Sequence, residues 1–254
     1  MTNPQILITN DDGIQAKGIH ELALLAKKYG TVTVVAPNGP RSAQSSALTI
    51  EQPVYAIKHD SEDGIQWFSC SGTPTDCVKL AITQLMPTRP NIILSGINHG
   101  SNASINVIYS GTMGAAIEGS LHGIPSIGFS LCNHSLNADF KPCLPFFETI
   151  LKGVIDNGRS KDICLNVNAP AIPNIKGIKA CRQADGRWGN DFISADAPRP
   201  YKYYWMTGDF SIEKSDDLNL DQVALDAGYI SIVPTTFDLT AHSAMDYCKG
   251  LESK

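Results

Sequence analysis

Apolar positions in the first half of the chain alternate between two kinds of pattern. QILIT at 5–9 and TVTVVA at 31–36 are short, nearly continuous apolar runs, the form of a strand buried on both faces. Between them, Ile19, Leu22, Leu25, Ala26 and Tyr29 recur at helical spacing, which predicts a helix over 18–29 that stops at Gly30. The segments 47–58 and 65–70 read as a β-hairpin excursion. Thr73-Pro74-Thr75-Asp76 is a helix start: Thr73 can cap, Pro74 suits the first helical position, and Asp76 stands three residues after the cap. That helix must end before Pro87. NIILS at 91–95, PSIGFS at 125–130 and ICLNV at 163–167 are further strands, with helices over 112–122 and near 144–156 between them.

Strands separated by helices imply an α/β domain with a doubly wound, mostly parallel sheet. The pattern changes after about residue 175. Aromatics cluster in YKYYW at 201–205, the stretch from Asp216 to Gly228 is helical at best in part, and YISIV at 229–233 is a strand. The expected organisation is one domain over 1–254, with a core of about 1–175 and a β-rich extension over about 176–254 that packs on a partner subunit.

Composition narrows the function. With 254 residues, 43% apolar, the chain can bury one sizeable core. A net charge of −5 argues against dedicated nucleic-acid binding, which calls for a basic face. It does not exclude an anionic small substrate, because a metal ion dominates the local field of its own site. No apolar run approaches the roughly 20 residues that span a bilayer, and MTNPQILITNDDG does not read as a signal peptide. The seven cysteines are scattered and include no CxxC pair, so reduced thiols in a cytoplasmic protein are expected in place of disulfides or a zinc site.

The candidate chemistry lies where strands run into polar, Gly-rich loops. Strand 5–9 ends in Asn10-Asp11-Asp12-Gly13, strand 31–36 in Pro37-Asn38-Gly39-Pro40-Arg41-Ser42, and strand 91–95 in Gly96-Ile97-Asn98-His99-Gly100-Ser101-Asn102. In a doubly wound sheet such loops converge beyond the carboxyl ends of the strands. Adjacent carboxylates repel, and they tolerate ionisation when a cation sits between them. Asp11 and Asp12 with neutral oxygens from Ser42 and Asn98 would form a hard-oxygen set suited to Mg²⁺ or Mn²⁺. Each residue also has a plainer reading: Asp12-Gly13 as a turn dipeptide, Ser42 as a loop hydroxyl bonding its own backbone, Asn98 as a turn amide. Tyr109-Ser110-Gly111-Thr112 opens a helix whose small residues let its free N–H groups approach a phosphate, although an ordinary Ser/Thr cap reads the same way. His99 stands beside Asn98 and could assist proton transfer, whereas His20 and His122 read as structural or solvated.

Several enzyme classes lack their signatures. There is no GxGxxG after the first strand, no GxxxxGK[ST] and no GxSxG. A haloacid-dehalogenase-type phosphatase needs a carboxylate nucleophile directly after the first strand, and Asn10 occupies that position. Adjacent Asp11 and Asp12 are poorly placed to flank a glycosidic bond across the roughly 5–10 Å that such an enzyme needs.

ILITNDDGIQAKGI, VVAPNGPRSAQSSALT, SGTPTDCVKLA and IILSGINHGSNASINVIYSGTMGAA resemble the sequence blocks of the SurE family, also called survival protein E. LNVNAP at 165–170, RQADGRWGNDF at 182–192 and YYWMTGD at 203–209 are similar to later blocks of that family. The resemblance implies a three-layer, Rossmann-like core with a C-terminal extension that clasps a second subunit, in a homodimer or tetramer. It implies a metal-dependent nucleotidase acting on nucleoside 5′- and 3′-monophosphates, with possible trimming of short polyphosphate. The family's ligands for one divalent cation per subunit fall on Asp11, Asp12, Ser42 and Asn98, and the choice of Ser42 rests mainly on this likeness. Asp11, Asp12 and Asn98 would also be the catalytic residues. The phosphate pocket maps to Asn102, Ser110, Gly111 and Thr112, and Asn10 is counted with the substrate-binding residues. Ala103 stands where the family often has Gly, and IVPTTFDL at 232–239 matches its segment only in part. A nucleotide-binding, stress-signalling module with slow turnover is the alternative.

Overall fold

In the computed structural model, which describes residues 3–157, 163–196 and 198–252, the first strand β1 (Gln5–Thr9) lies near the middle of a nine-stranded sheet. From β1 the chain winds outward through β2 (Thr31–Pro37) to β4 (Gln66–Cys70), both parallel neighbours in turn. It then crosses to the other side of β1 and continues in parallel through β5 (Ile92–His99), β6 (Ser126–Leu131) and β7 (Ile163–Ala169). The direction of winding reverses between β1 and β5, and such a switch point opens a crevice at the carboxyl ends of the strands.

Helices cover both faces. On one, α1 (Lys17–Ala26) and α4 (Leu144–Asn157) bring Ile19, Leu22, Phe147 and Leu151 against Ile6, Ile8, Leu94 and Phe129. On the other, α2 (Pro74–Leu80) and α3 (Gly111–Leu121) bring Val78 and Ala115 against Leu7, Val35 and Ile93. Successive residues of β1 therefore enter opposite cores, which is why QILIT is apolar throughout and does not alternate. Each such side chain contributes about 1.5–3 kcal/mol when fully buried. The result is the expected three-layer, doubly wound α/β core.

Thr73 caps α2 as its sequence predicts: the hydroxyl accepts from the Asp76 N–H (3.1 Å), and the Asp76 carboxylate accepts from the Thr73 N–H (2.9 Å). Helix α1 stops at Ala26, short of the expected Tyr29, and residues 27–29 form a turn. The hairpin expected over 47–58 and 65–70 is reduced to β3 (Ala56–Lys58), antiparallel to β4, and β4 itself is a strand of the central sheet. Residues 47–55 form no strand because their backbone donors go elsewhere. The Thr49 N–H bonds the Asp76 carboxylate and the Tyr55 N–H bonds Ser71 Oγ, while Pro53 has no N–H to give.

The stretch beyond residue 175 contributes to the same sheet. β13 (Ile230–Thr236) runs antiparallel to β7 and holds β8 (Ile178–Ala180) at the far edge. Two small ribbons project from it: β9 (Gly186–Gly189) with β12 (Asp209–Ile212), and β10 (Phe192–Ala195) with β11 (Tyr203–Met206). The helix expected within 216–228 is α5 (Asp221–Asp226), and α6 (Met245–Lys249) follows near the end. All seven cysteines are free thiols, and no helix among the described residues is long and apolar enough to cross a membrane.

Candidate active site

The loop after β1 is a turn closed by Asn10. This residue is fully buried, its Nδ2 donates to the Gly13 carbonyl (2.9 Å), and its Oδ1 accepts from the Gly13 N–H (3.2 Å). Both ends of the carboxamide thus bond the turn, and Asn10 shapes the loop that carries Asp11 and Asp12. Gly13 adopts φ +95°, and a Cβ there would meet the Gly39 carbonyl carbon at 3.0 Å. The loop after β2 therefore packs directly on the turn, and its Arg41 N–H donates to the Asp11 carbonyl (2.7 Å).

Asp11 points into the interior and is only 5% exposed. Its Oδ1 accepts from the Thr112 hydroxyl at 2.5 Å. Burial pushes its carboxyl up to about 6; the Thr112 bond opposes this and the neighbouring Asp12 charge adds to it. Asp12 is half-buried, and its Oδ2 accepts the backbone N–H of His99 (3.0 Å), which brings in the loop after β5. Asn98 donates its Nδ2 to the Gly100 carbonyl (2.9 Å), leaving the amide oxygen without a donor among the described residues. Ser42 is exposed and directly follows Arg41 in the loop that packs on this turn. The three loops are thus joined by main-chain N–H groups that donate to the Asp11 carbonyl and the Asp12 carboxylate, with Asp11 and Asp12 at their meeting point.

The start of α3 completes the wall. Ser110 caps it by accepting from the Met113 N–H (3.0 Å), and Gly111 lies against Asp11: a Cβ on Gly111 would stand 2.8 Å from Asp11 Cβ and 3.1 Å from its Oδ2. The Thr112 hydroxyl serves Asp11, a role that a phosphate-binding reading does not anticipate. Asn102 is held by amides from β7. Its N–H donates to Asn168 Oδ1 (2.8 Å), its carbonyl accepts from Asn166 Nδ2 (2.8 Å), and its own Nδ2 donates to Ser130 Oγ (2.9 Å). These supporting residues were legible only as a hint: Asn166 and Asn168 stand two apart on a strand, hence on one face.

His99 contributes its backbone N–H to Asp12, while its ring bonds a different loop. Nδ1 lies 2.9 Å from the Ser135 carbonyl, and the ring meets Phe140 edge-on. His20 stacks on Trp67 and His122 pairs with Glu118, both structural as expected. Asp221, in α5, reaches back from the extension, and its carboxylate accepts the N–H groups of Ser104 (2.8 Å), Ala184 (2.9 Å) and Gln222 (2.8 Å). The loop that carries Asn102 is therefore braced by the tail. Among the described residues no three His, Cys, Asp or Glu side chains converge, so a cation at the Asp11–Asp12 junction would need neutral oxygens as well.

Known proteins share this arrangement of strands and loops. The chain is 47% identical over 253 residues to the 5′-nucleotidase SurE of Bacteroides thetaiotaomicron, a match covering 98% of each protein. It is 49% identical over 243 residues to the 5′-nucleotidase SurE of Christiangramia forsetii, covering 94% of this chain and 93% of that protein. The crystal structure of the SurE protein from Aquifex aeolicus superposes with a TM-score of 0.82 at 33% identity, over 98% of this chain and 100% of that one. Residues 6–190 match the family described as survival protein SurE, a span that includes all three converging loops and the start of α3; the chain belongs to the SurE family.

Proposed function

We propose that this chain is a divalent-metal-dependent phosphomonoesterase that hydrolyses nucleoside monophosphates. The observation that carries the reading is Asp11. It is a buried carboxylate beside a second carboxylate, and neither it nor Asp12 has an ion-pair partner among the described residues. Such a pair is costly unless a cation joins it. The donor chemistry fits: two carboxylates, the free amide oxygen of Asn98 and the hydroxyl of Ser42 are hard oxygens, suited to Mg²⁺ or Mn²⁺. A bound cation would polarise a phosphoryl oxygen and lower the pKa of a water.

The remaining roles belong to the chain itself. The opening turn of α3 at Ser110, Gly111 and Thr112 directs backbone N–H groups at an anion, and Asn102 borders the same space. Ser110 is committed to its cap, and among the described residues no histidine hydrogen-bonds Ser42, so neither serine has the base that would activate it as a nucleophile. Direct hydrolysis by water follows, in preference to a covalent phosphoenzyme. The printed names of the relatives, 5′-nucleotidase, support a nucleoside 5′-monophosphate substrate. The family resemblance extends this to 3′-monophosphates and short polyphosphate.

The extension supplies the subunit contact. In β10 and β11, Phe192, Ile193, Tyr204, Trp205 and Met206 are exposed, Trp205 by 68% and Met206 by 74%. A lone two-stranded ribbon is marginal in water, and exposed apolar side chains on both of its faces call for a partner, here a second copy in a dimer or tetramer. The free thiols suit a reducing cytoplasm.

The test is a steady-state assay with an aryl phosphate and a panel of nucleoside monophosphates, across Mg²⁺, Mn²⁺ and Co²⁺. Activity is expected to vanish with chelator and return with metal. Full activity after exhaustive dialysis against chelator would overturn the reading. Light scattering should show a species of at least twice 27.4 kDa.

A further inference from the structure

Asn102 and Ser110 are joined by a 3₁₀ turn, Ser104–Ile108. Its first residue has a strained backbone. Ser104 is fully buried at φ +56°, a left-handed conformation that a non-glycine residue keeps only where its surroundings enforce it. The enforcement comes from the extension. The Ser104 N–H donates to the Asp221 carboxylate (2.8 Å) and its hydroxyl to the Ala184 carbonyl (2.8 Å). Gly186, the first residue of β9, packs so closely that a Cβ there would collide with the Ser104 hydroxyl.

A second tie holds the middle of the turn. The Trp188 indole N–H donates to Asn106 Oδ1 at 2.7 Å. Among the described residues this is the one side-chain hydrogen bond to residues 105–107. Asn106 is well placed to pass it on, because its N–H donates to the Ala103 carbonyl (3.2 Å) and its carbonyl accepts from the Tyr109 N–H (3.1 Å). Those two bonds span the turn from the residue after Asn102 to the residue before Ser110. Trp188 is itself fixed. It faces Phe210 across the β9–β12 pair, with ring centroids 5.4 Å apart, and a Cβ on Gly208 would stand 2.8 Å from Trp188 Cε3. The ring is 44% exposed, so burial alone does not account for where it is held.

We propose that Trp188 is a positioning residue for phosphate binding: its indole N–H, acting through Asn106, sets the turn that spaces Asn102 from Ser110. The inference rests on the phosphate-pocket reading and adds to it a residue outside the three converging loops and α3. It also gives the β9–β12 ribbon a duty separate from the subunit contact assigned to β10 and β11. Trp188 touches no substrate in this role.

The experiment compares wild type with Trp188→Phe, which keeps a ring against Phe210 and removes the donor, with Asn106→Leu, and with the double variant. For each, kcat and KM for p-nitrophenyl phosphate and the inhibition constant of inorganic phosphate are measured in excess Mg²⁺, with melting temperature and light scattering alongside. KM and the phosphate inhibition constant are expected to rise together, roughly 3–10-fold in each single variant, while kcat stays within about twofold. The double variant should be no worse than the worse single, because one bond is lost in all three. A tether with a merely structural role would lower the melting temperature and leave both constants unchanged below it, and that result would overturn the proposal. So would losses that add in the double variant, or a loss that appears only with dissociation of the oligomer. Phosphate binding is also measured by calorimetry, which needs no turnover. Wild type that binds phosphate without hydrolysing esters, with weaker binding in Trp188→Phe, would refute the hydrolase reading and leave this inference standing.

Discussion

Replacing Gly111 by alanine tests how tightly the site is built. The added Cβ would stand 2.8 Å from Asp11 Cβ, 3.1 Å from Asp11 Oδ2 and 3.3 Å from Pro74 Cγ. Ordinary carbon–carbon contact begins near 3.5–4.0 Å, so Asp11 and the start of α3 must part by roughly 1 Å. The first of these contacts is to Cβ, close to the backbone, and no rotamer change moves it away. Overpacking of this kind costs about 1–3 kcal/mol of stability. At about 2–4 °C per kcal/mol for a chain of this size, the melting temperature should fall by roughly 2–12 °C. Activity should suffer more, since a displacement of about 1 Å at a catalytic group can cost about 100-fold. The assay is kcat/KM for p-nitrophenyl phosphate at saturating Mn²⁺, below the unfolding transition of the variant, with the melting temperature measured alongside. A variant that folds and retains activity within about threefold would show that Asp11 and Gly111 need not touch during catalysis, and would refute the site.

Gly153→Ala is the matching control: a Cβ on this residue in α4 meets nothing within 4 Å, so it should stabilise by roughly 0.5–1 kcal/mol, with activity unchanged. Asp12→Asn should leave the metal-free melting temperature equal or slightly raised, because one of two like charges is gone. It should also abolish most of the metal-induced rise and lower turnover beyond the roughly 10–100-fold typical of supporting groups around a metal; normal turnover with a normal metal-induced rise would sink the assignment. Asp221→Ala strands three backbone N–H groups, so the protein should lose about 3 kcal/mol or more in urea unfolding, and a loss under about 1 kcal/mol would mean that the extension does not brace the Asn102 loop.

The core was legible because β1, β2 and β5 to β7 are buried on both faces, and that demand writes itself as continuous apolar runs. The switch point followed from strand order, and with it the convergence of the three loops. Three things were not legible. Residues 47–55 look like strand by composition, yet the partners of their backbone donors are the side chains of Asp76 and Ser71, which are remote in sequence. The return of β13 to pair with β7 depends on a contact between segments about 65 residues apart, which local periodicity does not encode. Asn10 and Thr112 read as polar residues near a ligand, and only coordinates show that their side chains bond Gly13 and Asp11. A polar group at a loop end can serve the substrate or the fold, and residue type does not distinguish the two.

The site separates those two duties in a way that orders its variants. Its loops are fastened by backbone groups: the Arg41 N–H on the Asp11 carbonyl, the His99 N–H on Asp12, the Gly13 amide on Asn10. They are brought within reach by missing side chains, as Gly13 meets Gly39, Gly111 meets Asp11, and Gly114 meets the Ser45 carbonyl. The Asn98 amide oxygen and the Ser42 hydroxyl take no part in that fastening. Changes at Asn98 and Ser42 should therefore alter metal affinity with little effect on folding, whereas a methyl added at Gly13, Gly111 or Gly114 should disturb fold and chemistry together. Asp11 falls between the groups, because its carboxylate both faces the junction and anchors Thr112 at the first turn of α3. Its replacement by Asn keeps an acceptor for the Thr112 hydroxyl and removes the buried charge, while Ala removes both. Metal-free stability should accordingly rank Asn above Ala at this position, and neither variant should recover wild-type turnover at any metal concentration.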